Sequence, residues 1–214
     1  MSLLGYPQAQ ASLTALVLNL IVSSASFYSY HRAGHHRWSL TAPFLAASVP
    51  AAFVGGLIPV SGRVFSLLLG VALLLASARL AGFGTGAERP PSKPPLWAAL
   101  GVGGAIGAVS GMIGIGGGVF LIPLVVLLGW ADAKVVSGTA AAFIFFNSAS
   151  GLAARLLRGQ AAMLPGTWSL VLVALAGGLL GGRAGATNWS TATVRRVLAA
   201  VLLLAAARLV TTGR

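Results

Sequence analysis

The chain has 214 residues, of which 57% are hydrophobic and only 7% charged, against roughly 25% Asp, Glu, Lys and Arg in an ordinary soluble domain. No water-soluble surface can be built from that composition. The formal net charge of +12 does not point to nucleic acid either, because the basic residues stand singly or in small groups between apolar blocks, as topology-setting loop anchors do.

In chain order, apolar segments run at about 11–30, 40–60, 64–83, 96–130, 135–157, 165–187 and 193–210. Most come close to the ~20 residues a membrane-spanning helix needs. Runs such as Leu67-Leu68-Leu69 and Val201-Leu202-Leu203-Leu204 lack the apolar/polar alternation of a transmembrane β-barrel. The expected fold is therefore all-α, a polytopic bundle of transmembrane helices. The first twelve residues hold no Lys or Arg, so a cleaved signal peptide is not expected. Cysteine is absent, which excludes disulfides, thiol catalysis and cysteine-based metal sites.

Residues 84–95 interrupt the apolar rhythm. Four of the ten prolines and three charges fall between Ala87 and Pro95, the composition of a linker. The parts on either side resemble each other. Leu4-Gly5-Tyr6 matches Leu128-Gly129-Trp130; after a one-residue gap, Ser12, Thr14, Ala15, Ser23 and Gly34 fall on Ser137, Thr139, Ala140, Ser148 and Gly159; Ala78-Arg79-Leu80 falls on Ala207-Arg208-Leu209. The expectation is two sequence-related repeats, 1–83 with three helices and 96–214 with a broken helix plus three. Transporters built this way place their substrate at the repeat interface near the midplane. The second repeat has a segment, Trp97 to Leu127, for which the first has no counterpart, so the first repeat is expected to lack its opening helix.

That segment holds the most unusual local sequence. Between Gly107 and Pro123 there are six glycines in seventeen residues, and each costs about 1 kcal/mol against alanine inside a helix. A broken helix is predicted: one piece from Trp97 to Ser110, a turn through Gly114 to Gly118, and a second piece to about Trp130. Unwound backbone at membrane depth needs protein or a watery cavity to cover it. The N-terminus of the second piece would aim free N–H groups into that cavity, a setting that favours anions. Close packing is the competing use of such glycines, and it is the expected role of Gly103, Gly107 and Gly111 and of the cluster from Gly177 to Gly185.

The pattern Gly114-x-Gly116-Gly117-Gly118 with Pro123, followed by Leu128-Gly129, then Ser137-Gly138-Thr139 and Asn147-Ser148, resembles the sulfite exporter TauE/SafE family of membrane transporters over nearly the whole chain. The resemblance implies export of small sulfur-containing anions, such as sulfite or organosulfonates, across the bacterial cytoplasmic (inner) membrane.

An anion site calls for donors and positive charge. The candidates are Ser110, Gly114, Gly116, Gly117, Gly118, Thr139, Asn147 and Ser148, with Ser23 and Ser24 from the first repeat and Arg155; Ser150 stands beside them. Arg155, Arg158 and Arg183 read more readily as interfacial anchors than as functional intramembrane charges. The two acidic residues, Glu88 and Asp132, fall outside the apolar segments, which argues against a carboxylate proton relay or sodium site. His31, His35 and His36 with Arg32 and Arg37 form a basic loop expected to face the cytoplasm; a three-histidine metal site is the weaker reading of it.

Two rival classes remain. Val109-Ser110-Gly111 has the makings of an intramembrane hydrolase nucleophile, but all three histidines fall in one loop, so no base is expected within reach. A non-catalytic scaffold or assembly subunit is the other. The reading is therefore a transporter, not an enzyme, with no cofactor and no metal. Its partners are a small anion and the lipid bilayer, with no nucleic acid and with room for a homo-oligomer. Whether 97–130 crosses once or turns back is undecided, since both topologies divide the basic residues nine against five.

Overall fold

The structure, a computed structural model, describes residues 8–59 and 92–190, with 193, 196, 197 and 200 as isolated positions. The segments expected at 64–83 and, but for those positions, 193–210 lie outside the described residues, as does most of the linker.

Within them the chain is helical and holds no strand. The helices are α1 (Gln8–Arg32), α2 (Trp38–Leu57), α3 (Leu96–Ile113), α4 (Gly118–Leu127), α5 (Ala133–Leu157) and α6 (Thr167–Arg183), the last running into a π-helical turn, Ala184–Asn188. Five of these are long and apolar enough to cross a membrane, counting α6 with its turn. Where lipid offers no hydrogen bonds, helices satisfy their own backbone. Charge follows the helix dipole: α1, α5 and α6 carry His31 and Arg32, Arg155, and Arg183 in their last turns, where cations are favoured.

Small residues set the packing. A Cβ on Gly103, Gly107 or Gly111 of α3 would collide with the carbonyl oxygen of Phe44, Ser48 or Ala52 of α2, and one on Gly55 would collide with that of Ala108. The register rises together along both chains, so α2 and α3 run parallel in backbone contact. Gly178 and Gly182 of α6 lie against Val22 and Ser26 of α1 in the same way, whereas Gly177 and Gly181 face open space. The Gly177–Gly185 cluster thus packs on alternate glycines.

Helix α5 is the hub. It runs antiparallel to α1, with Arg155 bonded to Ser12 near one end and Gly138 against His35 and Tyr30 at the other. It runs parallel to α2, from the Thr41–Thr139 hydrogen bond through Ser150 donating to the Val49 carbonyl to Gly56 against Ala154. The bundle therefore has a histidine end, holding the loop between α1 and α2, and an arginine end, holding Arg155 and Arg158.

The break between α3 and α4 falls where the glycines predict it. Gly114, Gly116 and Gly117 all have positive φ, +83°, +73° and +77°, a backbone region that L side chains enter at a cost of about 1–2 kcal/mol. The second arm then turns back. Gly129, beyond α4, accepts a hydrogen bond from the Ser92 N–H, just before α3, and Trp130 stacks near Phe44 of α2 with ring centroids 6.0 Å apart. The α3–α4 unit is a re-entrant hairpin whose outer ends both lie at the histidine end. An apolar cluster of Leu40, Phe44, Leu121, Val125, Val136, Ala140 and Phe143 fills the space between the returning arm, α2 and α5.

Candidate functional site

The site is built around the first turn of α4. The opening N–H groups of a helix have no partner within it, and Gly117, in the left-handed conformation, supplies no side-chain cap to them. Space here is tight and polar. A Cβ on Gly116 would lie 2.8 Å from Ser148 Oγ and 3.2 Å from Asn19 Nδ2; one on Gly117 would lie 3.1 Å from Ser110 Cβ and 2.9 Å from the Phe143 ring. Helix α5 thus brings Ser148 to the hairpin tip, α1 brings Asn19, and α3 brings Ser110.

Ser110 and Ser148, though not Asn19, share a further property. Ser110 Oγ, Ser148 Oγ and both polar atoms of the Asn147 amide are sealed from solvent without a hydrogen-bond partner among the described residues, as is Ser48 Oγ on α2. A buried polar group left unpaired costs about 1–3 kcal/mol, so such a concentration at one place calls for a ligand or for water. Asn147 lies one helical turn from Phe143 and Ile144, both of which touch the glycine turn, so its side chain projects from the same face of α5.

A ridge of Thr139, Phe143, Asn147, Gly151 and Arg155, all buried, runs in steps of four residues, ~6 Å along the axis and ~40° around it, so that it winds about α5 from one end to the other. Thr139 stands two turns from Asn147, on the histidine side of Phe143. Its Oγ1 shares a hydrogen bond with Thr41 Oγ1 at 3.1 Å; the Thr41 hydroxyl also lies 3.1 Å from His36 Nε2 and from the Arg37 carbonyl. Thr139 is thus held apart from the glycine turn, with Phe143 between them.

At the other end of the ridge, Arg155 is 5% exposed and is no interfacial anchor. Its Nη1 donates to the Gly111 carbonyl at 2.9 Å, Nη2 to the Met112 carbonyl at 3.1 Å and Nε to Ser12 Oγ at 3.2 Å. The two carbonyls belong to the last turn of α3, where they would otherwise lack partners. Arg155 therefore caps the first arm of the hairpin, and a Cβ on Gly114 would press on its guanidinium at 2.9 Å. It also lines a cleft of about 210 Å³ at the arginine end, together with Ser12, Met112, Arg158 and Gln160.

Of the other residues singled out by sequence, Ser23 is buried one turn from Asn19, and its Oγ bonds the Leu20 carbonyl of its own helix. Ser24 is exposed on the outside of α1 and bonds the Ile21 carbonyl; it does not join the cluster. Gly118 packs on Ile144. Ser150 bonds α2, and Thr14 receives the Leu164 N–H of the loop after α5. Asn19 went unread: the repeat alignment pairs it with Ile144, which hid it, although a lone Asn four residues before Ser23 in an apolar helix is a visible signal.

The histidine loop is packed rather than open. Phe27 stacks on His31 with centroids 5.5 Å apart, and Phe27, His31, His36 and Trp38 meet otherwise in edge-on pairs 4.7–6.1 Å apart. Burial, and then the charge of His31, push the His36 imidazole below its ordinary pKa. Among the described residues no set of three His, Asp or Glu side chains converges as a metal site.

Membrane-length helices around a re-entrant, glycine-broken hairpin, with buried polar groups at its tip, make the architecture of a multi-pass membrane transporter. The family model described as "Sulfite exporter TauE/SafE" matches residues 1–209, and the chain belongs to that family. It is 33% identical over 215 residues to "Probable membrane transporter protein y4hK" of Sinorhizobium fredii, covering 98% of this chain and 86% of that protein. It is 29% identical over 111 residues to "Probable membrane transporter protein YunE" of Bacillus subtilis, covering 50% and 39%. No solved structure matches significantly.

Proposed function

We propose that this transporter exports a small sulfur-containing oxyanion, of the sulfite or organosulfonate kind, across the bacterial cytoplasmic membrane, binding it at the N-terminus of α4. The observation that carries the reading is the set of sealed, unpartnered donors, Ser110, Asn147 and Ser148, gathered at a glycine-lined helix start. Hydroxyls and amides supply hydrogen bonds, the dipole supplies partial positive charge, and the glycines let an anion approach the backbone. Asn19 completes the ring from α1. The arrangement suits a binding step, with no base among the described residues placed against Ser110 Oγ, so an intramembrane hydrolase is the weaker reading.

Movement along the α5 ridge would carry the anion between the arginine-end cleft and the histidine end, past Phe143. In this form the apolar cluster around Phe143 closes the histidine side. The histidine loop, in this reading, faces the cytoplasm, and the two repeats run in opposite senses, as the antiparallel pairing of α1 with α5 favours.

The test is flux in proteoliposomes loaded with sulfite, small sulfonates or acetate, with and without a pH gradient. The expected result is sulfite or sulfonate efflux that Asn147→Leu abolishes. No flux of any of these anions would remove the reading.

A further inference from the structure

We infer that the arginine-end cleft is a second anion site, distinct from the hairpin tip and in line with it, in which Arg155 and Arg158 hold the oxyanion before or after it passes the glycine turn. This rests on the anion-export reading and adds a place and a mode of action to it.

Four observations support the site. The cleft, about 210 Å³, is lined by Ser12, Met112, Arg155, Arg158 and Gln160 as well as Ala9, Ile58 and Pro59; its donors are two guanidiniums and an amide, the Ser12 hydroxyl being given to the Ala9 carbonyl at 3.2 Å. A small oxyanion fits that volume. Among the described residues no carboxylate lines it; Asp132 stands at the start of α5, 23 residues and roughly 35 Å from Arg155 along the helix. Among the described residues both guanidiniums spend only part of their hydrogen-bonding capacity, Arg155 on three acceptors and Arg158 on the Gly56 carbonyl at 3.3 Å, out of the five N–H donors each carries.

The acceptors are as informative as the donors. Arg155 is held by the carbonyls that end α3 and by Ser12 of α1. All are neutral, and a charged oxyanion competes well against neutral acceptors for a guanidinium, with the added advantage of bidentate geometry. When Arg155 turns to an anion it leaves the Gly111 and Met112 carbonyls, uncapping α3 beside Gly114. Binding in the cleft is thereby coupled to the hairpin tip, six residues from Ser110 to Gly116, where the inner site lies. Both guanidiniums touch the outer anion, and Arg155 alone is also bonded to the end of α3.

The experiment uses purified full-length protein and ³⁵S-sulfite, with equilibrium binding in detergent and efflux from proteoliposomes. Wild type is expected to bind two anions per chain. Asn147→Leu is expected to abolish flux yet retain one bound anion, and adding Arg158→Gln to it is expected to remove that anion. Arg158→Gln alone is expected to raise the half-saturating sulfite concentration about tenfold, the worth of one charge-assisted hydrogen bond. Arg158→Lys, which keeps the charge, is expected to fall between them, guarding against a merely structural effect. One anion per chain in the wild type, or residual binding in Asn147→Leu untouched by Arg158→Gln, overturns the second site while leaving export standing. Absence of both binding and flux in the wild type overturns the export reading itself.

Discussion

Replacing Gly116 by alanine tests the hairpin tip most sharply, because two separable costs meet there. The backbone sits at φ +73°, which costs an alanine about 1–2 kcal/mol. The added methyl would also lie 2.8 Å from Ser148 Oγ and 2.9 Å from an Ile144 methyl, overpacking of the kind that costs about 1–3 kcal/mol. Together, Gly116→Ala should destabilise by about 2–5 kcal/mol. Two further glycines resolve the terms. Gly129 has φ +66° with nothing within 4 Å of a Cβ, so Gly129→Ala should lose only the backbone part, about 1–2 kcal/mol. Gly177, helical and open, should gain about 0.5–1 kcal/mol on the same change. Unfolding in mixed micelles measures all three. Sulfite efflux then adds the functional arm: the Gly116 methyl stands between the α4 N-terminus and Ser148, so flux should fall even where protein survives, while Gly129→Ala and Gly177→Ala retain it. A Gly116→Ala protein no less stable than Gly129→Ala, or one with wild-type flux, would refute the tight, polar tip described above.

Three other outcomes are expected. Asn147→Leu should leave stability unchanged or raise it by about 1–2 kcal/mol, since it removes an amide with no partner, while efflux disappears; a large loss of stability would show that the amide is paired. Arg155→Met should cost at least about 3 kcal/mol by stripping two helix-end carbonyls and Ser12 of their donor, with Arg155→Lys intermediate because an ammonium cannot span the same acceptors; thermal aggregation in detergent ranks them. His36 has its pKa lowered below 6.5 by burial and by His31, so the unfolded chain takes up the proton first. Stability should therefore be full above about pH 6.5 and decline as pH falls from there toward the folded-state pKa, and His36→Gln should flatten that slope in melting curves taken between pH 5 and 7.5.

Local chemistry was readable from the chain. Glycine density alone located the break, because three consecutive structural needs, an αL cap at Gly114 and positive φ at Gly116 and Gly117, admit hardly any other residue. Returning arms were not readable. Loop charges divide equally for either topology, and what decides it is long-range: a Ser92–Gly129 hydrogen bond and Trp130 against Phe44, neither visible in local pattern. The α3 glycine stripe was legible as packing, but its partner helix was not. Thr139 and Asn147 look equivalent as polar residues of one apolar segment; only the placement of Phe143 between them, and of Thr41 opposite Thr139, separates them. Arg155 was ambiguous for the same reason, since a guanidinium near a helix end snorkels or caps according to what the neighbouring helix offers.

The backbone contact between α2 and α3 bears on how such a machine can move. Helices meshed through side chains can ratchet, because rotamers absorb a shift. Here carbonyl oxygens of α2 occupy the volume that side chains would take on Gly103, Gly107 and Gly111, and neither helix can slide without opening voids along its whole seam. The pair is in effect a single girder. Helices α1 and α6, joined at Gly178 and Gly182, make a second, and α5 lies between the two. Among the described residues, the short arm α4 is the piece of the hairpin that shares in neither backbone seam, since both lie on other helices.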